Sequence, residues 1–133
     1  MINNVIIVGR LCHDPVLNTI DEGITVCNLT LAVTRPFKDM NTGEYGTDFI
    51  NVSLWFGISK IAYDYTSKGD IIGIKGRLTS KTKEINGTKI STLELIGEKI
   101  SFIQLNKSKD GLKINDENFE INESEFDIIE KDN

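Results

Sequence analysis

The chain has 133 residues, 39% of them hydrophobic, with 15 Lys+Arg against 20 Asp+Glu for a net charge of −5. That supports one small domain with one core. It excludes a helical membrane span, since no apolar run approaches the roughly 18 residues required. The start, Met1-Ile2-Asn3-Asn4, has neither a basic region nor a cleavage site, so the expected location is the cytoplasm.

In chain order, residues 4–12 form an apolar β-type run that Asp14-Pro15 ends. Gly23 precedes a second run, Ile24 to Thr34, rich in Thr, Val and Leu. Residues 35–47 are polar and hold Pro36, Asn41 and Gly43, which reads as a loop or an irregular hairpin tip. Residues 48–57 form the third strand. Then Ile58, Ile61, Ala62 and Tyr65 recur at helical spacing, and Lys68-Gly69 reads as a basic last turn and a glycine stop. Residues 70–82 return to β structure, where Gly73 and Gly76 point to sharp coiling or close backbone approach. Asn86-Gly87 predicts a type I′ hairpin turn. Thr88 to Gly97 runs back, and Lys99 to Leu105 reads as a last short strand. Three strands, one helix and two or three more strands suit an all-β, five-stranded Greek-key barrel of the oligonucleotide-binding type.

The third strand is the most informative. Side chains alternate between its faces. Ile50, Val52, Leu54 and Phe56 form a core face, and Phe49, Asn51, Ser53 and Trp55 lie opposite. Aromatics among polar groups make a stacking platform for flat ligands, nucleobases above all. Equally, both faces of such a strand can be covered, in which case Trp55 belongs to the core. Arg10, Arg35, Lys38, Lys75, Arg77, Lys81, Lys83 and Lys89 lie on or near the strands and loops and are candidate phosphate contacts.

The charge is unevenly spread. Residues 1–105 hold 11 basic and 11 acidic residues, and residues 106–133 hold 4 and 9. The expected division is a folded domain over 1–105 and a disordered acidic tail over 106–133. The tail's Phe126, Ile128 and Ile129 read either as a short linear motif or as part of a solubilising tail. The two cysteines, Cys12 and Cys27, and the one histidine, His13, lack the paired spacing of a metal site. No nucleophile–base set, phosphate loop or carboxylate cluster is present, so the expectation is no enzyme, no metal and no cofactor.

Residues 2–15 (Ile-Asn-Asn-Val-Ile-Ile-Val-Gly-Arg-Leu-Cys-His-Asp-Pro) resemble the start of the bacterial-type single-stranded DNA-binding protein family. The Gly23 to Ala32 segment, Phe49-Ile-Asn-Val-Ser-Leu-Trp, Ala62-Tyr-Asp-Tyr-Thr-Ser-Lys-Gly and Lys75-Gly-Arg-Leu follow in the family's order. The resemblance covers about residues 2–104. It implies an oligonucleotide-binding barrel, usually a homotetramer, that coats single-stranded DNA in replication, recombination and repair. It also implies base stacking on Phe37, Phe49 and Trp55. The family's fourth aromatic position falls near Lys83, where none is present, although Lys81, Lys83 and Lys89 can hold phosphates. Ile50 stands where the family often has a histidine at a subunit contact. The tail is acidic, but it lacks the Pro-Phe tip through which the family recruits replication and repair proteins. The rival readings are a barrel that binds protein as a replication-restart accessory, and one that binds RNA.

Overall fold

The computed structural model describes residues 1–106 and the backbone of residues 118–120. Its elements are β1 (Val5–Leu11), β2 (Val16–Ile20), a 3₁₀ turn (Asp21–Gly23), β3 (Ile24–Lys38), β4 (Tyr45–Trp55), α1 (Gly57–Tyr65), β5 (Ile71–Ile85), β6 (Thr88–Gln104) and β7 (Asn118–Glu120).

Five strands close the barrel. β1 pairs antiparallel with β5, and β5 with β6. β6 then runs parallel to β4, matching Val52 with Leu95 and Leu54 with Gly97. β4 pairs antiparallel with β3, and β3 returns to β1 through Arg10↔Ala32 and Leu11↔Leu31. Closure removes open edges and encloses one core. Leu11, Leu29, Leu31, Leu54, Ile72, Ile74, Ile96 and Ile100 fill it.

The expected barrel and single helix are present, with three differences in detail. First, β2 was not among the predicted strands; its Val-Leu-Asn-Thr-Ile sequence is short, and its one ladder partner is β3. Second, the expected loop 35–47 is shorter, because β3 runs on to Lys38 and β4 begins at Tyr45, with a register shift between Thr34 and Lys38. Third, Thr88 to Gln104 is one long strand, not two. The break that the sequence suggests near residue 98 is a bulge opposite Gly76, where Lys75 pairs with Lys99 but Gly76 pairs with Gly97. A Cβ at Gly76 would collide with the Ile96 carbonyl, so glycine is required there.

The remaining local signals act as their chemistry dictates. Asn86 and Gly87 both take positive φ, 51° and 80°, as a type I′ turn demands. Helix α1 buries Ile58, Ser59 and Ala62 against the barrel. The loop after it is held by Asp70, which is fully buried. The Asp70 carboxylate accepts the backbone N–H of Ser67 and of Asn106, each at 2.8 Å. Its own carbonyl accepts the N–H of Leu11 at 2.8 Å. One residue thus ties the helix exit, β1 and the end of β6 together.

Residues 118–120 add a short antiparallel strand to β6, pairing Lys99 with Glu120. They fall inside the stretch expected to be an acidic tail; the rest of that stretch, including Phe126, Ile128 and Ile129, lies outside the described residues. Among the described residues no helix is long and apolar enough to cross a membrane.

Candidate nucleic-acid interface

The β3–β4 ladder carries the candidate platform. Its register sets Phe49 opposite Ala32 and Asn51 opposite Thr30. Ala32 is too small to cover a ring, so Phe49 stays 70% exposed. Phe37, beyond the register shift, is 65% exposed. Between them the structure adds Tyr45, 54% exposed, with the Lys38 ammonium 5.7 Å from its ring centre. Sequence reading placed Tyr45 in a loop and missed it. The signal was available: the alternation of Phe49 and Thr47, carried one step back along the strand, reaches Tyr45.

Trp55 departs from the exposed face that alternation predicts. It is 6% exposed and packs in the core cluster. The unforeseen segment after β2 covers it: Ile20, Asp21, Glu22 and Ile24 line a hollow with the indole. Its buried ring N–H has no hydrogen-bond partner among the described residues. Ser53, two residues back on the same face, is also buried. The exposed part of this face therefore ends at Asn51.

Below Phe49 the surface sinks into a polar hollow of about 380 Å³ between β3, β4 and the long β5–β6 hairpin. The floor is a set of side chains bonded to one another. Thr30 donates to the Asn51 side-chain oxygen at 2.9 Å, and a ring nitrogen of His13 lies 3.2 Å from the Thr30 hydroxyl. Ser53 donates to Glu94 at 2.6 Å. Lys81 and Lys83 form the wall, and the Lys81 ammonium sits 3.3 Å from Glu94. His13, Asn28, Thr30 and Glu94 were not predicted as site residues. They come from the loop after β1 (His13), from β3 (Asn28 and Thr30) and from β6 (Glu94), and only the folded chain brings them together.

The other predicted basic residues disperse. Strand alternation puts Lys89 on the opposite face of the hairpin from Lys81 and Lys83, directly across from Glu84. Arg77 is largely buried, with its Nε 3.7 Å from Glu98. Arg10 donates to the Gly69 carbonyl at 2.8 Å, and Lys75 pairs in register with Ile6 on the outer β1–β5 surface; neither lines the hollow. Arg35 lies on the face opposite Phe49 and donates twice to one Asp48 oxygen, at 3.0 and 2.8 Å. That hydrogen bond, joined by the pair's Coulomb attraction and outweighing desolvation, holds the Asp48 carboxyl below its ordinary value and raises Arg35. What remains is Lys81 and Lys83 on the hollow, with Phe49 one step along β4 from its Asn51, and the Lys38–Tyr45 pair and the exposed Phe37 toward the hairpin tip.

The chain is similar to single-stranded DNA-binding proteins of several bacteria. The chain is 35% identical over 120 residues to the single-stranded DNA-binding protein of Halalkalibacterium halodurans, covering 90% of this chain and 71% of that one. It is 37% identical over 111 residues to single-stranded DNA-binding protein 1 of Staphylococcus aureus, covering 83% and 70%. It is 33% identical over 112 residues to the single-stranded DNA-binding protein of Streptococcus pneumoniae, covering 84% and 71%. The model of the single-strand binding protein family matches residues 2–103, the whole of the barrel. Barrel, exposed aromatics and sequence match coincide, and the chain belongs to the single-strand binding protein family.

Proposed function

We propose that the chain binds single-stranded DNA without strong sequence preference and protects it during replication, recombination and repair. The observation that carries this reading is Phe49, a 70% exposed ring beside a hollow walled by Lys81 and Lys83. A base stacked on an exposed aromatic contributes about 1–3 kcal/mol whatever its identity, since each base has a π-face. Lysines beside it take phosphates. Phe37, Lys38 and Tyr45 extend the path toward the hairpin tip. Trp55, buried in the core, stands off this exposed path, which ends at Asn51.

The protein works as a homotetramer, with a dimer as the smaller alternative. Support comes from Ile6, Val8 and Ile103, which are 69%, 49% and 56% exposed on the outer surface of β1, β5 and β6. Gly73 lets Val8 and Ile103 close over the sheet there. A second copy covers such an apolar patch. The acidic tail, which lacks the Pro-Phe tip, is the candidate contact for replication and repair proteins.

Fluorescence anisotropy of labelled oligo(dT), its duplex with oligo(dA) and oligo(U), each at two salt concentrations, tests the binding. The single DNA strand binds tightest, and log affinity falls with log salt by about 0.7 per phosphate neutralised. Equal affinity for duplex rejects the reading, and tighter binding of oligo(U) moves it to RNA. A monomer mass by light scattering at micromolar concentration rejects the assembly.

A further inference from the structure

The polar hollow beside Phe49 has more chemistry than nonspecific stacking needs. Two residues of strand separate Phe49 from Asn51 on one face, a distance of about 6.6 Å. That is about twice the stacked spacing of roughly 3.4 Å per nucleotide, the reach of one nucleotide in an extended strand. A drawn-out single strand with one base on Phe49 therefore brings its next base over Asn51 and the hollow. At about 380 Å³ and open on one side, the hollow has room for that base.

The group waiting there is a carboxylate. Ser53, 7% exposed, spends its one proton on Glu94 Oε1 at 2.6 Å. Glu94 Oε2 is buried and has no hydrogen-bond donor among the described residues. Its neighbour is the Lys81 ammonium at 3.3 Å, an ion pair out of hydrogen-bond alignment, on a side chain 34% exposed at the mouth of the hollow. Lys81 is the charge that offsets this buried oxygen, and without it Oε2 is a costly unpaired acceptor. A phosphate arriving at the mouth competes with Glu94 for Lys81, and Oε2 then needs an N–H from the ligand.

We propose that this hollow is a base-reading subsite, with Glu94 as the acceptor for the exocyclic amine of cytosine, adenine or guanine. The inference rests on the single-strand binding proposed above. A carboxylate accepting from cytosine N4 is an established direct contact. Thymine carries a carbonyl oxygen at the same position. Its one ring N–H lies between two carbonyls, so presenting it to Glu94 also brings an oxygen lone pair against the carboxylate. The result is a tilt toward amine-bearing bases laid over sequence-tolerant stacking.

The test uses the full chain and equal-length oligo(dC) and oligo(dT) in anisotropy competition at one salt concentration. The expected result is roughly fivefold or greater preference for oligo(dC). Glu94→Gln presents an amide N–H₂ to thymine O4 and removes or reverses the preference. A second arm needs no variant: an oligomer built on 2-pyrimidinone, which is cytosine without its amine, binds the wild-type chain no better than oligo(dT). Equal binding of oligo(dC) and oligo(dT) overturns the base-reading subsite and leaves single-strand binding standing. A preference for oligo(dC) that persists in Glu94→Gln, or in the amine-free oligomer, also overturns it. Failure of every oligomer to bind overturns the parent reading, and the subsite with it.

Discussion

Phe49 and Trp55 lie on the same face of β4 by alternation, yet one is 70% exposed and the other 6%. Alanine at each position must therefore act on different quantities. Phe49→Ala removes a ring that packs against little, so the melting temperature should stay within a few degrees of wild type. Its loss should appear in binding, as about 1–3 kcal/mol of stacking, which is roughly 5- to 150-fold in Kd for oligo(dT). Trp55→Ala empties a filled core site, and large-to-small changes of that kind cost about 3–5 kcal/mol of stability. For a domain of this size each kcal/mol is worth about 4 °C or more in Tm, so a fall of at least roughly 12 °C is expected. Trp55→Phe retains most of the volume and isolates the indole's role in binding. Circular dichroism melts give the first quantity and anisotropy the second. Phe49→Ala binding oligo(dT) within twofold of wild type would refute the stacking assignment. Trp55→Ala melting alongside wild type would refute the core assignment.

Lys83 faces the hollow and Lys89 does not, so Lys83→Ala should reduce the slope of log affinity against log salt by about 0.7 while Lys89→Ala leaves it nearly unchanged. Equal effects from the two variants would mean that the hairpin face does not decide contact. The Asp48 carboxyl is held below its ordinary value by Arg35, so their pairing is complete above about pH 4 and is lost as pH falls through the depressed value. At neutral pH Asp48→Asn should free Arg35 for phosphate and tighten oligo(dT) binding at low salt; unchanged affinity would show that Arg35 lies off the strand's path. Asp70→Ala strips the acceptor from two backbone N–H groups and should cost about 2–3 kcal/mol, read as a lower denaturation midpoint with unchanged m-value. A midpoint matching wild type would show that water replaces the carboxylate.

Local chemistry by itself determined much of this protein. The alternation in β4 separates Val52 and Leu54 from Phe49, because opposite sides of a strand meet different surroundings. Asn86-Gly87 and the spacing of Ile58 and Ala62 likewise place a turn and a helix face from neighbours alone. Alternation tells which side of a strand a residue occupies, but not what covers that side. Trp55 and Ser53 have the same parity as Phe49, and only the packing of distant segments, Ile20–Ile24 over one and Glu94 against the other, buries them. Likewise the sequence marks Arg35, Lys81, Lys83 and Lys89 simply as cations. The β3–β4 register gives Arg35 to Asp48, and the hairpin register turns Lys89 toward Glu84 and leaves Lys81 and Lys83 on the hollow. Strand pairing at long sequence separation is a property of the closed barrel, and no window of neighbouring residues contains it.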